Sequence, residues 1–138
     1  MFLIINTAEK NKTTLIFFTR QFNGIFKYSF KRNYNQAEKL LPAIDKLFKK
    51  NKKNPTDLNG LAIITGPGPF TALRVGITIA NTMAFALKIP IVGIRLDEFK
   101  NTKELIKLSY KKFRKTIRHP AEKKIVIPFY GKEPNITK

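Results

Sequence analysis

The sequence contains no cysteine, no tryptophan and a single histidine, and it has only nine acidic residues. The absence of cysteine excludes disulfides, thiolate metal sites and a cysteine nucleophile, and one histidine cannot build a multi-histidine site. The acidic residues are scattered, and only Asp97 and Glu98 are adjacent. That pair could bind Mg²⁺, although closing a turn or capping the next helix is the more ordinary use of such residues.

The chain also lacks a long apolar segment near its start. The opening MFLIINTAEK has no basic residues ahead of its apolar run, and the run is too short for a signal peptide. The uncharged stretch from Val75 to Leu87 is too short to span a bilayer. We therefore expect no membrane insertion, and the cysteine-free composition favours the cytoplasm.

Basic residues are abundant: 27 Lys or Arg give a formal net charge of +18 over 138 residues. The hydrophobic fraction of 43% is that of a globular domain and argues against a disordered basic tail. Because the cations are mostly Lys and the chain is also rich in Asn and Ile, the charge has two interpretations. It is either a solvated surface that follows compositional bias, or a patch that docks a phosphate backbone.

The first third of the chain predicts three antiparallel strands followed by a helix. Residues 2–8 and 13–20 are short apolar runs joined by a polar hairpin connection. Asn23-Gly24 is typical of a tight turn and leads into a third alternating run at 25–32. A capping box at Asn35 and Glu38 then begins a helix that contains Pro42, where we expect a bend.

The middle of the chain predicts a strand, a helix and a second strand. GLAIIT at 60–65 and IPIVGI at 89–94 read as buried strands, and the helix between them follows a Gly-Pro-Gly-Pro turn and runs to about Lys88. The resulting order is βββαβαβ, which predicts a mixed sheet with helices packed on it.

A basic amphipathic helix is predicted at 102–117, and KIVIPFYG reads as a final strand. Ten of the 27 cations lie between Lys100 and Lys124. One face of the helix carries the candidate nucleic-acid contacts Lys103, Lys107, Lys111, Lys115 and Arg118.

The central helix has a polar arc held by Arg74, Thr78, Asn81 and Thr82, and is otherwise apolar. Its small residues Ala72, Gly76, Ala80 and Ala84 recur every fourth position and form a smooth strip. Such a strip suits close helix contact, either with a partner or with the chain's own neighbouring helix or sheet. The Gly-rich turn before the helix could cradle an anion, but two prolines remove donors and the P-loop pattern is absent.

The segment GPGPFTALRVGITIANTMAFALKIPIVGI resembles the TsaB (YeaZ) family, whose hallmark reads roughly GPGSFTGLRIG. FLIINTA resembles the family's opening ILAIDTS strand, and AEKLLPAIDKLFKK resembles its SEKLLPxIxxLL helix. The ending IPFYGKEPNITK resembles its Pro-x-Tyr-x-Arg-x-Pro stretch, with Lys132 where Arg is usual. The motif turn comprises Gly66, Pro67, Gly68, Phe70, Thr71 and Arg74.

This resemblance implies an α/β fold: an actin-like (ribonuclease H-like) lobe at 1–96, followed by a reduced C-terminal lobe at 97–138. It implies a noncatalytic cytoplasmic scaffold that pairs with catalytic TsaD and, with the ATPase TsaE, supports threonylcarbamoylation of tRNA next to the anticodon. No cofactor is expected on this chain, whereas ATP and a divalent metal are implied for the partner subunits. An exposed apolar helix face would favour a homodimer when the partner is absent.

The resemblance also implies that the first two helices form the partner interface. The residues assigned to it are Leu40, Ile44, Leu47, Ala72, Gly76, Ala80 and Ala84. We expect Arg74 to order the turn or meet the partner. Asn6 stands where the family's first strand has an aspartate, and the loss of that carboxylate disfavours a cation site.

Two other function classes remain as alternatives. The chain could be a nucleic-acid-binding module that acts through its Lys-rich C-terminal part, with binding that weakens steeply with salt. It could also be an enzyme, such as the glycoprotease once ascribed to this superfamily, but it has no nucleophile, base or metal set for that chemistry.

Overall fold

The structure, a computed structural model, describes residues 1–21, 25–31, 36–118 and 125–129. The predicted turn at Asn23-Gly24, the cap residue Asn35 and the lone His119 lie outside these residues, as does the tail after Phe129.

Among the described residues, five strands form one mixed sheet. The strands are β1 (Phe2–Asn6), β2 (Lys12–Phe18), β3 (Phe26–Lys31), β4 (Gly60–Gly66) and β5 (Ile91–Arg95). Their order across the sheet is β3-β2-β1-β4-β5. The first three strands pair antiparallel, whereas β1 with β4 and β4 with β5 pair parallel. The predicted mixed sheet is therefore confirmed.

In the part of the chain that the structure describes, three α-helices cover the two faces of this sheet. They are α1 (Gln36–Lys50), α2 (Phe70–Leu87) and α3 (Thr102–Arg118), and the chain order is the predicted βββαβαβ followed by the basic helix. Pro42 does not split α1, which runs without a break through it. Short 3₁₀ turns at Pro55–Asp57 and Leu96–Glu98 lead into β4 and away from β5.

The side chains of β1 alternate between two cores, because successive residues of a strand point to opposite faces. Leu3 and Ile5 pack in a core that includes residues of α1 and α2. Phe2 and Ile4 pack in the other core, which includes residues of α3. Helices α1 and α2 thus share one face of the sheet, and α3 covers the opposite face.

The predicted final strand is not formed over its described residues. Residues 125–129 belong to no strand, and their one backbone hydrogen bond to the sheet joins Phe129 N–H to the Thr65 carbonyl at 2.7 Å. Pro128 has no N–H to donate, which is one reason that the segment cannot extend a regular ladder here.

Helix α2 is long and apolar enough to cross a membrane, by length and composition alone. The position of α2 in the fold explains its apolar composition without a membrane. The helix connects the adjacent parallel strands β4 and β5, and it buries six residues, from Ala72 to Ala84. A crossover helix of this kind is apolar because it lies against the sheet and against α1.

Candidate functional site

The turn between β4 and α2 is packed against the chain's own backbone. Gly66 has φ +122°, a conformation that favours glycine, and a Cβ there would overlap the Phe129 carbonyl oxygen. A Cβ at Gly68 would overlap the carbonyl oxygen of Ala8, in the loop after β1. The two glycines therefore allow the turn before α2, the loop after β1 and the segment that ends at Phe129 to pack closely together.

This packing disfavours an anion at the turn. Carbonyl oxygens carry partial negative charge, and they occupy the space beside Gly66 and Gly68 where an anion would need donors. Asn6 is used locally, since its side-chain oxygen accepts a hydrogen bond from the Ala8 N–H at 3.0 Å. The amide thus holds the loop after β1 in place against the turn.

Three further motif residues, Phe70, Thr71 and Arg74, lie near the start of α2. All three are exposed, and the Arg74 guanidinium lies 4.6 Å from the centroid of the Phe70 ring. Arg74 thus contacts the first residue of the helix, and it leaves its charge accessible beside an exposed aromatic ring.

The small-residue strip faces the interior, which corrects its assignment to a partner interface. A Cβ at Gly76 would overlap the Thr7 side chain, so this part of α2 lies directly on the loop after β1. The three assigned residues of α1 are also buried and share a core with the sheet and α2. All seven assigned residues are buried within the chain: Leu40, Ile44, Leu47, Ala72, Gly76, Ala80 and Ala84. Intramolecular packing, the other interpretation of the strip, is what the structure shows.

A different set of side chains faces outward from the same two helices. Leu41 on α1 is 52% exposed, and Phe70 and Phe85 on α2 are 54% and 87% exposed. Phe70 was already a motif residue, and Leu41 and Phe85 lie at apolar positions of their helices, so periodicity alone does not show that these side chains are exposed. Exposed large apolar side chains can mark an interaction site. We call this set, Leu41, Phe70 and Phe85, the outer helix face.

The polar arc of α2 binds the C-terminal segment, a role that sequence reasoning missed. The Asn81 side chain donates to the Val126 carbonyl at 2.9 Å and accepts from the Val126 N–H at 3.1 Å. The Arg95 guanidinium lies 5.1 Å from the Phe129 ring. A pocket of about 290 Å³ lies beside this contact and is lined by Arg74, Ile77, Thr78, Asn81, Val126 and Pro128.

We expect Asn81→Ala to release the C-terminal segment without unfolding the sheet. The change removes two hydrogen bonds that a side chain makes to backbone groups, each worth about 1 kcal/mol. Amide hydrogen exchange at Val126 should accelerate about tenfold or more, while exchange at β1 and β4 stays unchanged.

The control is Thr82→Ala, one residue along the same helix, whose hydroxyl bonds only the Thr78 carbonyl of its own helix. Equal protection of Val126 in the wild type and in Asn81→Ala would contradict the assigned role of Asn81.

The acidic pair after β5 closes a turn. Arg95 donates its backbone N–H to Glu98 Oε1 at 2.9 Å, and its Nε to Asp97 Oδ1 at 3.1 Å. Lys112 of α3 lies 3.1 Å from Glu98 Oε2. Burial raises the pKa of Glu98, but the hydrogen bonds from Arg95 and Lys112 lower it by more, so that its pKa lies below the ordinary value. The turn-closing interpretation of this pair is confirmed.

Within the described ranges no group of three or more His, Asp or Glu side chains is arranged to hold a metal ion. The candidate cations of α3 lie on the other side of the sheet from the outer helix face. Four of them, Lys103, Lys107, Lys111 and Lys115, are exposed, and Arg118 is the last residue of the helix.

Comparison with known proteins finds similarity to one group of tRNA-modification proteins. A family model described as TsaD: tRNA N6-adenosine threonylcarbamoyltransferase matches residues 11–96. The tRNA threonylcarbamoyladenosine biosynthesis protein TsaB of Bacillus subtilis (strain 168) is 33% identical over 92 residues, which are 67% of this chain and 39% of that protein. The protein of the same name from Buchnera aphidicola subsp. Schizaphis graminum is 42% identical over 69 residues, 49% of this chain and 33% of that one.

The structure is also similar to YeaZ from Pseudomonas aeruginosa, with a TM-score of 0.63 and 21% sequence identity. The match covers 68% of this chain and 43% of the YeaZ chain, and it shows an actin-like fold. The chain thus spans between about a third and two fifths of the length of the curated relatives given above.

Proposed function

Because the chain belongs to the TsaB (YeaZ) family of tRNA threonylcarbamoyladenosine biosynthesis proteins, we propose that it is a noncatalytic subunit that binds a TsaD-type threonylcarbamoyltransferase. In this proposal the chain holds the catalytic subunit in a competent arrangement and performs no chemistry itself. It acts in the cytoplasm.

The observation that carries this proposal is the outer helix face. Leu41, Phe70 and Phe85 present apolar surface from helices whose other sides are already buried against the sheet. Two further exposed apolar residues, Ile125 and Ile127, flank the Val126 backbone that Asn81 binds. Water contact with so much apolar surface is unfavourable, and burial against another helix surface would remove it.

The turn and the first strand support a noncatalytic role. Actin-like ATPases use the corresponding turn and first strand to hold phosphate and metal. In this chain, backbone carbonyl oxygens lie beside the glycines of the turn, and the Asn6 side-chain oxygen accepts a hydrogen bond from the Ala8 N–H. ATP and a divalent cation then belong to the partner subunits, a TsaD-type transferase and a TsaE-type ATPase. tRNA reaches the chain through the complex, and a homodimer through the outer helix face forms when the partner is absent.

The test is complex formation between the full chain and the TsaD-type subunit of the same organism, followed by gel filtration and titration calorimetry. We expect a stable complex, and we expect Phe85→Glu to weaken it about 30-fold or more. A charge placed within an apolar contact is expected to cost about 2 kcal/mol or more of binding free energy.

The matched control is Ile25→Glu, which also replaces an exposed apolar residue but lies just before β3 and belongs to neither α1 nor α2. It should bind the transferase like the wild type. The proposal is wrong if no complex forms, or if the two variants weaken it equally.

A further inference from the structure

The exposed side of α3 is almost entirely basic. Successive steps of four residues advance about 6 Å along a helix axis and stay on one face, so that the cations form a continuous stripe. Arg114 lies on the same arc, between the positions of Lys103 and Lys107 in helical projection, and it adds to the residues that the sequence had singled out. We call this set, Lys103, Lys107, Lys111, Arg114 and Lys115, the basic face.

Acidic residues do not neutralise the basic face. None of its five cations lies within ion-pair distance of an acidic side chain among the residues that the structure describes. Lys112 differs, because its ammonium turns inward to the Gly93 carbonyl at 2.9 Å and to Glu98. The one acid on the helix, Glu104, accepts a hydrogen bond from the Lys100 N–H at the helix start. The positive charge of the face is therefore available to a partner.

Strand β3 extends the basic face beyond the helix. Lys27 is exposed, and its ammonium lies 3.3 Å from the Thr102 hydroxyl at the start of α3. Lys31 lies four residues farther along the same strand, on the same side of the sheet. Residues far apart in sequence thus contribute to one positively charged surface, on the sheet face opposite α1 and α2.

Among the residues that the structure describes, the basic face lacks the apolar side chains that an amphipathic helix inserts into a bilayer. A helix that lies on a bilayer inserts an apolar side, but the apolar residues Leu105, Ile106 and Phe113 of α3 are already buried against the sheet. What remains exposed is charge that suits a polyanion in water. Lys dominates over Arg here, and Lys acts as a point charge on phosphate rather than as a fork that reads bases.

We propose that the basic face binds the sugar-phosphate backbone of tRNA while the outer helix face binds the catalytic subunit. The identity of the RNA rests on the proposed function. The charge, exposure and placement of the face do not depend on it. Because the two surfaces lie on opposite sides of one sheet, a single copy of the chain can engage both partners at once, and the tRNA contact is independent of sequence.

The test measures binding of a fluorescently labelled, unmodified tRNA transcript to the full chain by anisotropy, between 50 and 200 mM salt. In the triple variant Lys103→Gln/Lys107→Gln/Lys111→Gln we expect affinity at 100 mM salt to fall about tenfold or more. The slope of log K against log salt should become shallower by about 2, since each lost phosphate contact removes about 0.7 to 0.9 from it.

The matched control is Lys46→Gln/Lys50→Gln/Lys53→Gln, which lowers the net charge by the same three units on exposed residues in and just after α1. It should reduce affinity less than twofold. Equal losses in the two triples would assign binding to net charge and overturn the proposal, as would absent or salt-independent binding. Binding of anionic lipid vesicles but not of tRNA would also overturn it.

The two proposals fail in different ways. The basic-face triple should still form the complex with the TsaD-type subunit, because its substitutions lie on the other side of the sheet. If the complex does not form but the isolated chain binds tRNA through the basic face, the proposed transferase partner is wrong and the proposed tRNA-binding surface is supported.

Discussion

A leucine at Gly76 is expected to destabilise the whole domain, by about 3 kcal/mol or more. Even a Cβ at this position would overlap the Thr7 hydroxyl and lie 2.8 Å from the Thr7 Cγ2. The three further carbons of a leucine therefore have no space between α2 and the loop after β1. Native domains are stable by only about 5 to 15 kcal/mol, so the loss is a large fraction of the total. Urea unfolding followed by circular dichroism measures it.

The control for this experiment is Thr78→Leu, which introduces the same side chain two residues later at an exposed position of α2. It should change the free energy of unfolding by less than about 0.5 kcal/mol. If Gly76→Leu is as stable as this control, the contact between α2 and the loop after β1 is not as described.

The clash can also be separated from other effects of the substitution. Gly76→Ala should gain helix propensity but lose packing, and Thr7→Ala should remove the two atoms that it meets first. The double variant is therefore expected to be more stable than the sum of the single changes predicts, by about 1 kcal/mol. Any loss of partner binding in Gly76→Leu reports unfolding rather than an interface.

Phe113→Ala should destabilise the domain by about 3 to 5 kcal/mol. The Phe113 side chain is 0% exposed and stacks on Phe2 with ring centroids 4.8 Å apart, and Phe2 in turn stacks on Phe18 at 5.2 Å. Truncation leaves a cavity between α3 and the sheet in addition to the lost transfer free energy. Because Phe113 anchors α3, the basic face should also lose tRNA affinity although all of its cations are retained.

Phe85→Ala makes the same chemical change on the opposite side of the sheet, where the ring is 87% exposed. We expect it to change the free energy of unfolding by less than about 0.5 kcal/mol and to weaken the complex with the transferase. Comparison of Phe113→Ala with Phe85→Ala thus distinguishes an effect on the free energy of unfolding from an effect on partner binding. Similar unfolding free energies for the two variants would contradict the packing of α3 described above.

The mixed sheet was predictable from the sequence because local patterns specify its parts. The alternation at 25–32 and the buried runs at 60–65 and 89–94 each fit one kind of strand, and their boundaries in the structure differ from the predicted ones by only one or two residues. The motif turn was equally predictable, since Gly66 takes a positive φ that its residue type allows. The outcome for the final strand was not predictable, because the apolar run at 125–129 does not indicate whether a neighbouring strand is available to pair with it.

The seven residues assigned to the candidate interface are buried in the structure, whereas other apolar residues of the same two helices are exposed. The strip through Gly76 and Ala80 indicates close packing, and periodicity does not say whether the surface packed against belongs to the same chain. Leu41 and Phe85 are apolar residues of the same helices, and periodicity does not indicate that these two side chains are the exposed ones. Asn81 was recognised only as polar, because its partner Val126 lies 45 residues away.

The sequence by itself determined the elements, their order, the glycine-dependent turn and the positive charge of α3, because each depends on residues within a few positions of one another. Only the tertiary structure decided which sides of α1 and α2 are buried. It also brought Lys27 of β3 beside α3, and placed the outer helix face and the basic face on opposite sides of the sheet. Burial depends on which distant segments fill the same space, and that is a property of the whole packed chain rather than of any local pattern.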